Sequence, residues 1–172
     1  ATLNAAYDLG IPCLIQEQNS FAGLTNKTLA RKASKICVAY EGMERFFPAD
    51  RILLTGNPVR QNLSSPSLNK DEACAHFSFN SNTPTVLLIG GSLGARTLNE
   101  SVLHSLDEIR NSNVQFIWQT GSYYKEHIAQ ELQKHSQPSN LYVTDFIRSM
   151  DMAYKAADLV ISRAGASSIS EL

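Results

Sequence analysis

Short apolar runs alternate with segments of helical periodicity along almost the whole chain, and this alternation limits the fold more than any other feature. A strand followed by a helix and then by another strand is typical of a parallel sheet covered by helices. The predicted strands are residues 12–15, 36–39, 51–54, 86–89, 114–118, 141–143 and 159–161. The predicted helices are residues 24–33, 71–77, 95–110, 123–135 and 150–157, with a further helix starting near Ser168. The sequence therefore predicts an α/β fold with parallel sheets.

The composition changes in the middle of the chain, where residues 62–84 are rich in Ser, Asn and Pro. Such a segment is a candidate linker between domains. We expect residues 1–61 to be the C-terminal part of one Rossmann-like domain and residues 85–172 to be the N-terminal part of a second. The first residues lack an initiator Met and a secretory signal, and the last ones read as the first turn of a helix. We therefore expect the central part of a longer protein, with both halves incomplete.

Composition and charge argue against several classes of function. The net charge of −1 gives no general attraction to nucleic acid or to anionic lipid. No apolar run approaches the roughly 18–20 residues that span a bilayer. The three cysteines form no Cys-x-x-Cys pair, and the four histidines show no ligand spacing. We expect no disulfide, no metal site and a reducing, cytosolic environment.

A glycine-rich turn, Gly90-Gly-Ser-Leu-Gly-Ala95, follows an apolar strand and opens a helix. Glycines let the backbone approach an anion closely, and the free N–H groups of the helix start favour phosphate. No Gly-Lys-Ser/Thr follows, and Ile89 stands where a dinucleotide fingerprint needs glycine. The turn predicts a phosphate site in which Ser92 adds a hydroxyl donor. The alternative is a turn that only lets strand and helix pack.

A second loop of small residues, Ser162-Arg-Ala-Gly-Ala-Ser-Ser-Ile-Ser-Glu171, follows another predicted strand. Small residues such as Gly165 allow a tight turn, and Ser167 or Ser168 can cap the next helix. Glu171 lies three residues after Ser168, which leaves two interpretations open. Its carboxylate accepts both hydroxyls of a ribose, or it completes a capping box by accepting from a backbone N–H group.

A guanidinium ends the turn Thr55-Gly-Asn-Pro-Val-Arg60. An arginine at a cleft between domains pairs a diphosphate in a planar, bidentate manner that lysine does not reproduce. Arg60 is therefore a candidate diphosphate ligand, and an ordinary surface arginine is the alternative.

Three polar side chains, Glu17-Gln-Asn19, crowd the end of the first predicted strand. Burying such groups is expensive unless they are paired. They suit the many hydroxyls of a sugar, and the alternative is a cap and turn for the helix that follows.

The segment Thr144-Asp-Phe-Ile-Arg-Ser-Met-Asp151 connects a strand to a helix. Backbone groups near Ile147 are candidates for hydrogen bonds to the edge of a nucleobase, with Phe146 as an apolar wall. The alternative is an aromatic side chain that simply faces the core. All of these motifs fall at carboxyl ends of predicted strands, where α/β proteins bind their ligands.

Together these motifs resemble the MurG family of bacterial glycosyltransferases, within glycosyltransferase family 28. The resemblance covers nearly the whole chain and rests on Glu17-Gln-Asn19, Ala22-Gly-Leu-Thr-Asn-Lys27, Gly56-Asn-Pro-Val-Arg60, Gly90-Gly-Ser-Leu-Gly-Ala-Arg96, Asn99, Phe146-Ile147, Met150, Tyr154, Ala157-Asp158, Arg163-Ala-Gly-Ala166 and Ser170-Glu171. Gln16, Ser20 and Ala164 depart from the family pattern, which has His, Gly and Ser there. The family's amino-terminal glycine loop with its proposed general base, and its Gln-rich sugar-binding segment, are not in the chain.

The resemblance implies a GT-B fold with an acceptor-side domain, residues 1–61, and a UDP-sugar-binding domain, residues 85–172. It implies inverting transfer of N-acetylglucosamine from UDP-N-acetylglucosamine to undecaprenyl-linked muramyl-pentapeptide (lipid I), which forms lipid II in peptidoglycan synthesis. No cofactor, metal or nucleic acid is implied. The expected location is the cytoplasmic face of the bacterial inner membrane, as a peripheral protein.

By the same resemblance, Ser92 and Arg60 contact the diphosphate, the backbone of Ile147 contacts uracil, Glu171 binds the ribose and Asn19 lies near the sugar. The remaining nucleotide-lining residues would be Ala166, Ser167, Ser168, Ile169 and Ser170, and the loop glycines would be Gly90, Gly91, Gly94 and Gly165. We expect this part alone to be inactive. A glycosyltransferase for another lipid such as diacylglycerol is one alternative, and a sugar-nucleotide epimerase or a nucleotide-binding module without catalysis is the other.

Overall fold

The computed structural model describes residues 2–59 and 68–172, which divide into two compact units. The first unit holds residues 2–59 together with Ile169–Leu172, and the second holds residues 68–168. The domain boundary predicted near residue 62 lies outside the described residues and stays a prediction. Within the described ranges, no helix combines the length and apolar character needed to cross a bilayer.

The first unit is a parallel sheet of three strands in the order β1-β2-β3, formed by Leu14–Glu17, Lys35–Val38 and Ile52–Leu54. Helix α1 (Thr2–Asp8) precedes the sheet, α2 (Leu24–Leu29) follows β1, and 3₁₀ turns lie at Met43–Arg45 and Ala49–Arg51. Alternate strand residues point to opposite faces, and in β1 and β2 every second residue is buried, which places the core on one face. Its core consists of Ile15, Ala22, Ala30, Ala33, Ile36, Val38, Met43 and Phe47.

A buried carboxylate organises the loop after β1. Glu17 is 3% exposed and accepts hydrogen bonds from the backbone N–H groups of Asn19 (3.1 Å) and Gly23 (2.9 Å). It also accepts from the side-chain amides of Asn19 (3.2 Å) and Asn26 (2.9 Å). Burial alone would raise the pKa of Glu17, but these four donors outweigh it and the net pKa is lowered. The ionised carboxylate therefore fixes the path of residues 17–26.

The second unit is a parallel sheet of four strands in the order β6-β5-β4-β7. The strands are β4 (Thr85–Ile89), β5 (Gln115–Gln119), β6 (Leu141–Thr144) and β7 (Leu159–Ser162). The chain runs outward from β4 through β5 to β6 and then returns to place β7 on the other side of β4. In open α/β sheets such a reversal of strand order opens a crevice at the carboxyl ends of the strands.

Helices cover both faces of this second sheet. On one face α3 (Lys70–His76) and α7 (Met150–Ala156) pack over Leu87 and Ile117, which are fully buried. On the other face α4 (Arg96–His104), α5 (Leu106–Asn111) and α6 (Lys125–His135) pack over Leu88 and Trp118. Helix α8 (Ala166–Glu171) follows β7. Consecutive apolar residues of β4 and β5 point to opposite faces of the sheet and so contribute to two separate cores.

The single helix predicted over residues 95–110 is wrong, because α4 ends at His104 and α5 begins at Leu106. Between them Ser105 has φ −101° and ψ 17°, and its N–H group is shared by the carbonyls of Ser101 and Val102, at 3.1 Å each. The break keeps both Val102 and Leu106 buried against the sheet. The helix predicted over residues 24–33 is also shorter, since α2 ends at Leu29.

Part of the predicted linker belongs to the second unit. Helix α3 lies within residues 62–84, yet Ala73 and Cys74 are fully buried against α7. Lys70 Nζ lies 2.6 Å from Asp158 Oδ1, and the other oxygen of Asp158 accepts from the N–H group of Thr85. These contacts hold α3 to the amino ends of β4 and β7.

A buried polar triad joins α4 to β5. The indole N–H group of Trp118 donates to Asn99 Oδ1 at 3.0 Å, and Asn99 Nδ2 donates to the carbonyl of Thr120 at 2.8 Å. All three residues are at most 2% exposed. Their polar atoms have no access to water, so each depends on the others for a partner.

We expect Asn99→Ala to lower the free energy of unfolding of this chain by about 3 kcal/mol, because it leaves the Trp118 N–H group and the Thr120 carbonyl buried without partners. Urea unfolding followed by circular dichroism measures the change. Asn82→Ala, at an exposed asparagine of the same unit, serves as the control and should change stability by less than about 0.5 kcal/mol. Equal effects of the two substitutions would contradict the role of the triad.

Glu17→Gln should lower stability at pH 7 by about 1–3 kcal/mol, because an amide offers one acceptor oxygen where the carboxylate offers two. The native pKa of Glu17 is lowered from 4.5, so its contribution is present above the unfolded pKa and is lost as the pH falls through the native pKa. The gap between wild type and variant should therefore narrow as the pH drops below about 4.5. Exposed Glu41→Gln is the control, and a gap independent of pH would refute this reasoning.

Candidate functional site

Two of the loops singled out from the sequence lie side by side in the second unit. β4 and β7 are paired, with Ile89 opposite Ser162, and each strand leads directly into one loop. The loop of residues 90–95 follows β4, and the loop of residues 163–165 follows β7 and leads into α8. Both therefore flank the point where the strand order reverses, which is the usual ligand-binding position of such a sheet.

The loop after β4 is shaped by glycines. A Cβ atom on Gly90 would lie 2.6 Å from the backbone nitrogen of Ala95, and one on Gly94 would lie 2.1 Å from the Thr120 carbonyl oxygen. Gly91 and Gly94 both have φ +88°, a conformation that favours glycine. The exposed residue Ser92 lies between them.

The amino end of α4 has no capping side chain. Ala95 occupies the N-cap position, and no side chain caps the helix. Its first N–H groups therefore have no side-chain partner at the N-cap, and the helix dipole adds positive potential there. The Ser92 carbonyl accepts from the N–H group of Ser122 at 3.1 Å, which holds the loop in place beneath this helix end.

The loop after β7 differs from the sequence prediction in where its helix begins. α8 starts at Ala166, so Ser167 and Ser168 lie inside its first turn and neither serves as N-cap. The capping-box interpretation of Glu171 fails for the same reason, since it needs Ser168 at the N-cap position. Glu171 is instead the last residue of α8. Gly165 closes the loop by donating its N–H group to the Arg163 carbonyl at 2.8 Å.

The loop after β6 presents Phe146 rather than burying it. Phe146 is 45% exposed, so the interpretation of a core-facing aromatic is wrong, whereas Ile147 is 3% exposed. The N–H group of Ile147 donates to Gln119 Oε1 at 3.0 Å. Because this N–H group already has a partner, a backbone hydrogen bond from Ile147 to a ligand would use the carbonyl oxygen of Ile147. A cavity beside this loop is lined by Phe77, Tyr142, Phe146, Arg148 and Ser149, among others.

Sequence reasoning missed Gln119, the last residue of β5. It is 5% exposed, and its Nε2 donates to the Gly91 carbonyl at 3.1 Å while its Oε1 accepts from Ile147. The available signal was a polar amide immediately after the apolar run that ends at Trp118. Such a residue at the carboxyl end of a buried strand needs partners, and here it finds them in two candidate loops.

In the first unit, Asn19 is exposed at the end of β1, and its side-chain amide is held by Glu17. Glu17 also binds the N–H group of Gly23, so the interpretation of this segment as a turn into α2 is confirmed for Glu17, whereas no side chain caps that helix. The contact of Asn19 with a sugar stays a prediction. Arg60 lies outside the described residues, as does its expected role, and Ile169–Leu172 cluster with the first unit.

Known proteins resemble this chain over its full length. The relatives from Parabacteroides distasonis and Flavobacterium psychrophilum are 58% and 50% identical over 99% and 100% of this chain, and each match covers 46% of the relative. Both are named UDP-N-acetylglucosamine--N-acetylmuramyl-(pentapeptide) pyrophosphoryl-undecaprenol N-acetylglucosamine transferase. The chain thus spans about half the length of the curated relatives it matches.

The crystal structure of Acinetobacter baumannii MurG matches 98% of this chain and 45% of that protein, with a TM-score of 0.61 and 34% identity. A glycosyltransferase from Rickettsia africae matches with a TM-score of 0.55 at 9% identity, over 94% of this chain and 53% of that one, which shows the fold alone. The expected α/β fold of the GT-B class is confirmed. A family model, the glycosyltransferase family 28 C-terminal domain, matches residues 85–172. The chain therefore belongs to glycosyltransferase family 28, and its resemblance to the MurG members of that family is confirmed.

Proposed function

We propose that this chain supplies the donor-binding part of an inverting glycosyltransferase. The full-length protein would transfer N-acetylglucosamine from UDP-N-acetylglucosamine to lipid I and release UDP, forming lipid II. The observation that carries the proposal is the pair of loops after β4 and β7 at the reversal of strand order. The names of relatives at 50–58% identity support the same reaction.

The diphosphate is proposed to lie at the loop after β4. The Ser92 hydroxyl and the uncapped amino end of α4 supply neutral donors and positive potential. In the reaction the acceptor hydroxyl attacks the anomeric carbon, and the bond from that carbon to the diphosphate oxygen breaks. Negative charge grows on the departing UDP, and the amino end of α4, together with Arg60, would stabilise it. No side chain of this chain is assigned as the general base, which we place elsewhere in the full-length protein.

The nucleobase is proposed to lie at the loop after β6 in the second unit. The N–H group of Ile147 is taken by Gln119, which leaves the Ile147 carbonyl to accept from N3–H of uracil. The ribose hydroxyls are assigned to Glu171, and residues 166–170 line the nucleotide. A carboxylate that accepts two vicinal hydroxyls is the usual solution for ribose in related sheets.

The first unit offers a surface suited to the cytoplasmic face of the inner membrane. Tyr7 and Ile11 are 49% and 54% exposed, and Arg31, Lys32 and Lys35 lie around the same hollow. Exposed aromatic and aliphatic groups with a basic rim favour the interface of an anionic bilayer. A peripheral attachment there would bring the enzyme to its lipid-linked acceptor. Roles in cell-wall biogenesis, cell shape and division would follow from that activity.

Ser92→Ala in the full-length protein should lower kcat/KM for UDP-N-acetylglucosamine by about 10- to 100-fold, because it removes one hydrogen bond to a charged group. Ser101→Ala, at an exposed serine in α4, is the matched control and should leave kcat/KM unchanged. Radiolabelled sugar transfer to lipid I, with diacylglycerol as a parallel acceptor, measures the effect. Transfer to diacylglycerol but not to lipid I would overturn the proposed acceptor, and conversion of the donor without acceptor would indicate an epimerase.

The double substitution Arg31→Glu and Lys35→Glu should weaken binding of the full-length protein to phosphatidylglycerol vesicles at least tenfold, since each basic residue near an anionic surface contributes about 1 kcal/mol. Vesicle sedimentation at two salt concentrations measures it. The control is Lys134→Glu with Lys155→Glu, on α6 and α7 of the second unit. Equal loss in both double variants would reject this surface as the membrane contact.

A further inference from the structure

The two ends of the Gln119 side-chain amide form hydrogen bonds with backbone groups of two different loops. The donor end binds the carbonyl of Gly91 in the loop after β4, at 3.1 Å. The acceptor end binds the N–H group of Ile147 in the loop after β6, at 3.0 Å. With 5% of its surface exposed, the amide has little access to water that could replace either bond.

The two loops that Gln119 joins are otherwise well held at their own strands. In the loop after β6, Thr144 Oγ1 donates to the Phe146 carbonyl at 3.2 Å, so the peptide group between Phe146 and Ile147 is bound at both its oxygen and its nitrogen. In the loop after β4, the Gly91 carbonyl also accepts from the N–H group of Gly94 at 3.0 Å. Each loop is therefore ordered by itself, and Gln119 adds a defined spacing between them.

A planar amide suits this purpose because its oxygen and nitrogen are separated by a fixed distance. If either loop moved by an ångström, one of the two hydrogen bonds would be lost. A shift of one loop relative to the other would therefore leave one end of the buried Gln119 amide without a hydrogen-bond partner. A ligand that contacts both loops meets them already spaced and avoids the cost of ordering them.

We propose that Gln119 is a positioning residue that couples the diphosphate loop after β4 to the nucleobase loop after β6, so that both act on one nucleoside diphosphate. This inference rests on the proposed function, which assigns the two loops to the two ends of UDP. Gln119 itself touches no substrate in this scheme. Its effect is confined to ligands that span both loops, because a ligand on one loop does not use the spacing.

The test compares UDP, which spans both loops, with uridine, which lacks the diphosphate, in the full-length protein. Gln119→Met keeps the length of the side chain and removes both hydrogen bonds. We expect the affinity for UDP to fall about tenfold and that for uridine to change by less than about threefold. The advantage of UDP over uridine should shrink accordingly, which isothermal titration calorimetry or competition binding measures.

Gln115→Met is the matched control. Gln115 lies on the same strand at its amino end, is 8% exposed, and uses its amide to bind Asn80, Thr83 and Thr85. Its loss should lower the thermal midpoint without changing the ratio of the two affinities. A merely structural role of Gln119 would make the two variants alike in that ratio, and this result would overturn the proposal.

Gln119→Glu is a second variant in case Gln119→Met does not fold. It keeps the acceptor for Ile147 and loses the donor for Gly91, so it should also reduce the advantage of UDP over uridine. An unchanged advantage in a folded Gln119→Glu variant would overturn the coupling. Wild-type protein that binds no UDP would instead overturn the proposed function, whereas wild-type binding with unaffected variants would reject Gln119 alone.

Discussion

The parallel pairing of β4 with β7 is the constraint on which the candidate site depends. Because the chain reaches β7 only after passing outward through β5 and β6, the pairing forces the strand order to reverse beside β4. The loop after β4 and the loop after β7 then leave the sheet as neighbours, although more than sixty residues separate them in sequence. The proposed nucleotide site depends on this meeting of distant segments. No local pattern around Gly90 or Gly165 would provide it alone.

Strand β5 shows how one strand serves both the core and the site. Trp118 faces α4 and α6, and its indole N–H group donates to Asn99. Gln119, at the carboxyl end of the same strand, points to the opposite face. The period of two along a strand places an apolar and a polar residue on opposite sides. Stability of the second unit and geometry of its loops are therefore coupled through adjacent residues. Substitutions on this strand have to be separated by their effect on ligand ratios rather than by activity alone.

Much of the fold could be predicted from periodicity, and the differences have physical causes. Within the described residues, apolar runs identified all seven strands to within two residues at each end, because buried parallel strands leave a local signal. The break at Ser105 was missed since Val102, Leu106 and Ile109 keep helical spacing across it. The helix start at Ala166 was misplaced because Ser167 and Ser168 offer competing caps. Gln119 escaped attention because its partners, Gly91 and Ile147, are distant in sequence and meet only through strand pairing.

The glycine turn after β4 was open to two interpretations, packing or phosphate binding, and its glycines divide between them. Gly90 and Gly94 are required by packing, since a Cβ atom on either would collide with backbone atoms of Ala95 or Thr120. A Cβ atom on Gly91 would meet no other atom within 4 Å, and only the φ of +88° requires glycine there. The space beside Gly91 and Ser92 is therefore left open by the fold rather than filled. In the proposed function a diphosphate uses this space, and the amino end of α4, which no side chain caps, would attract it.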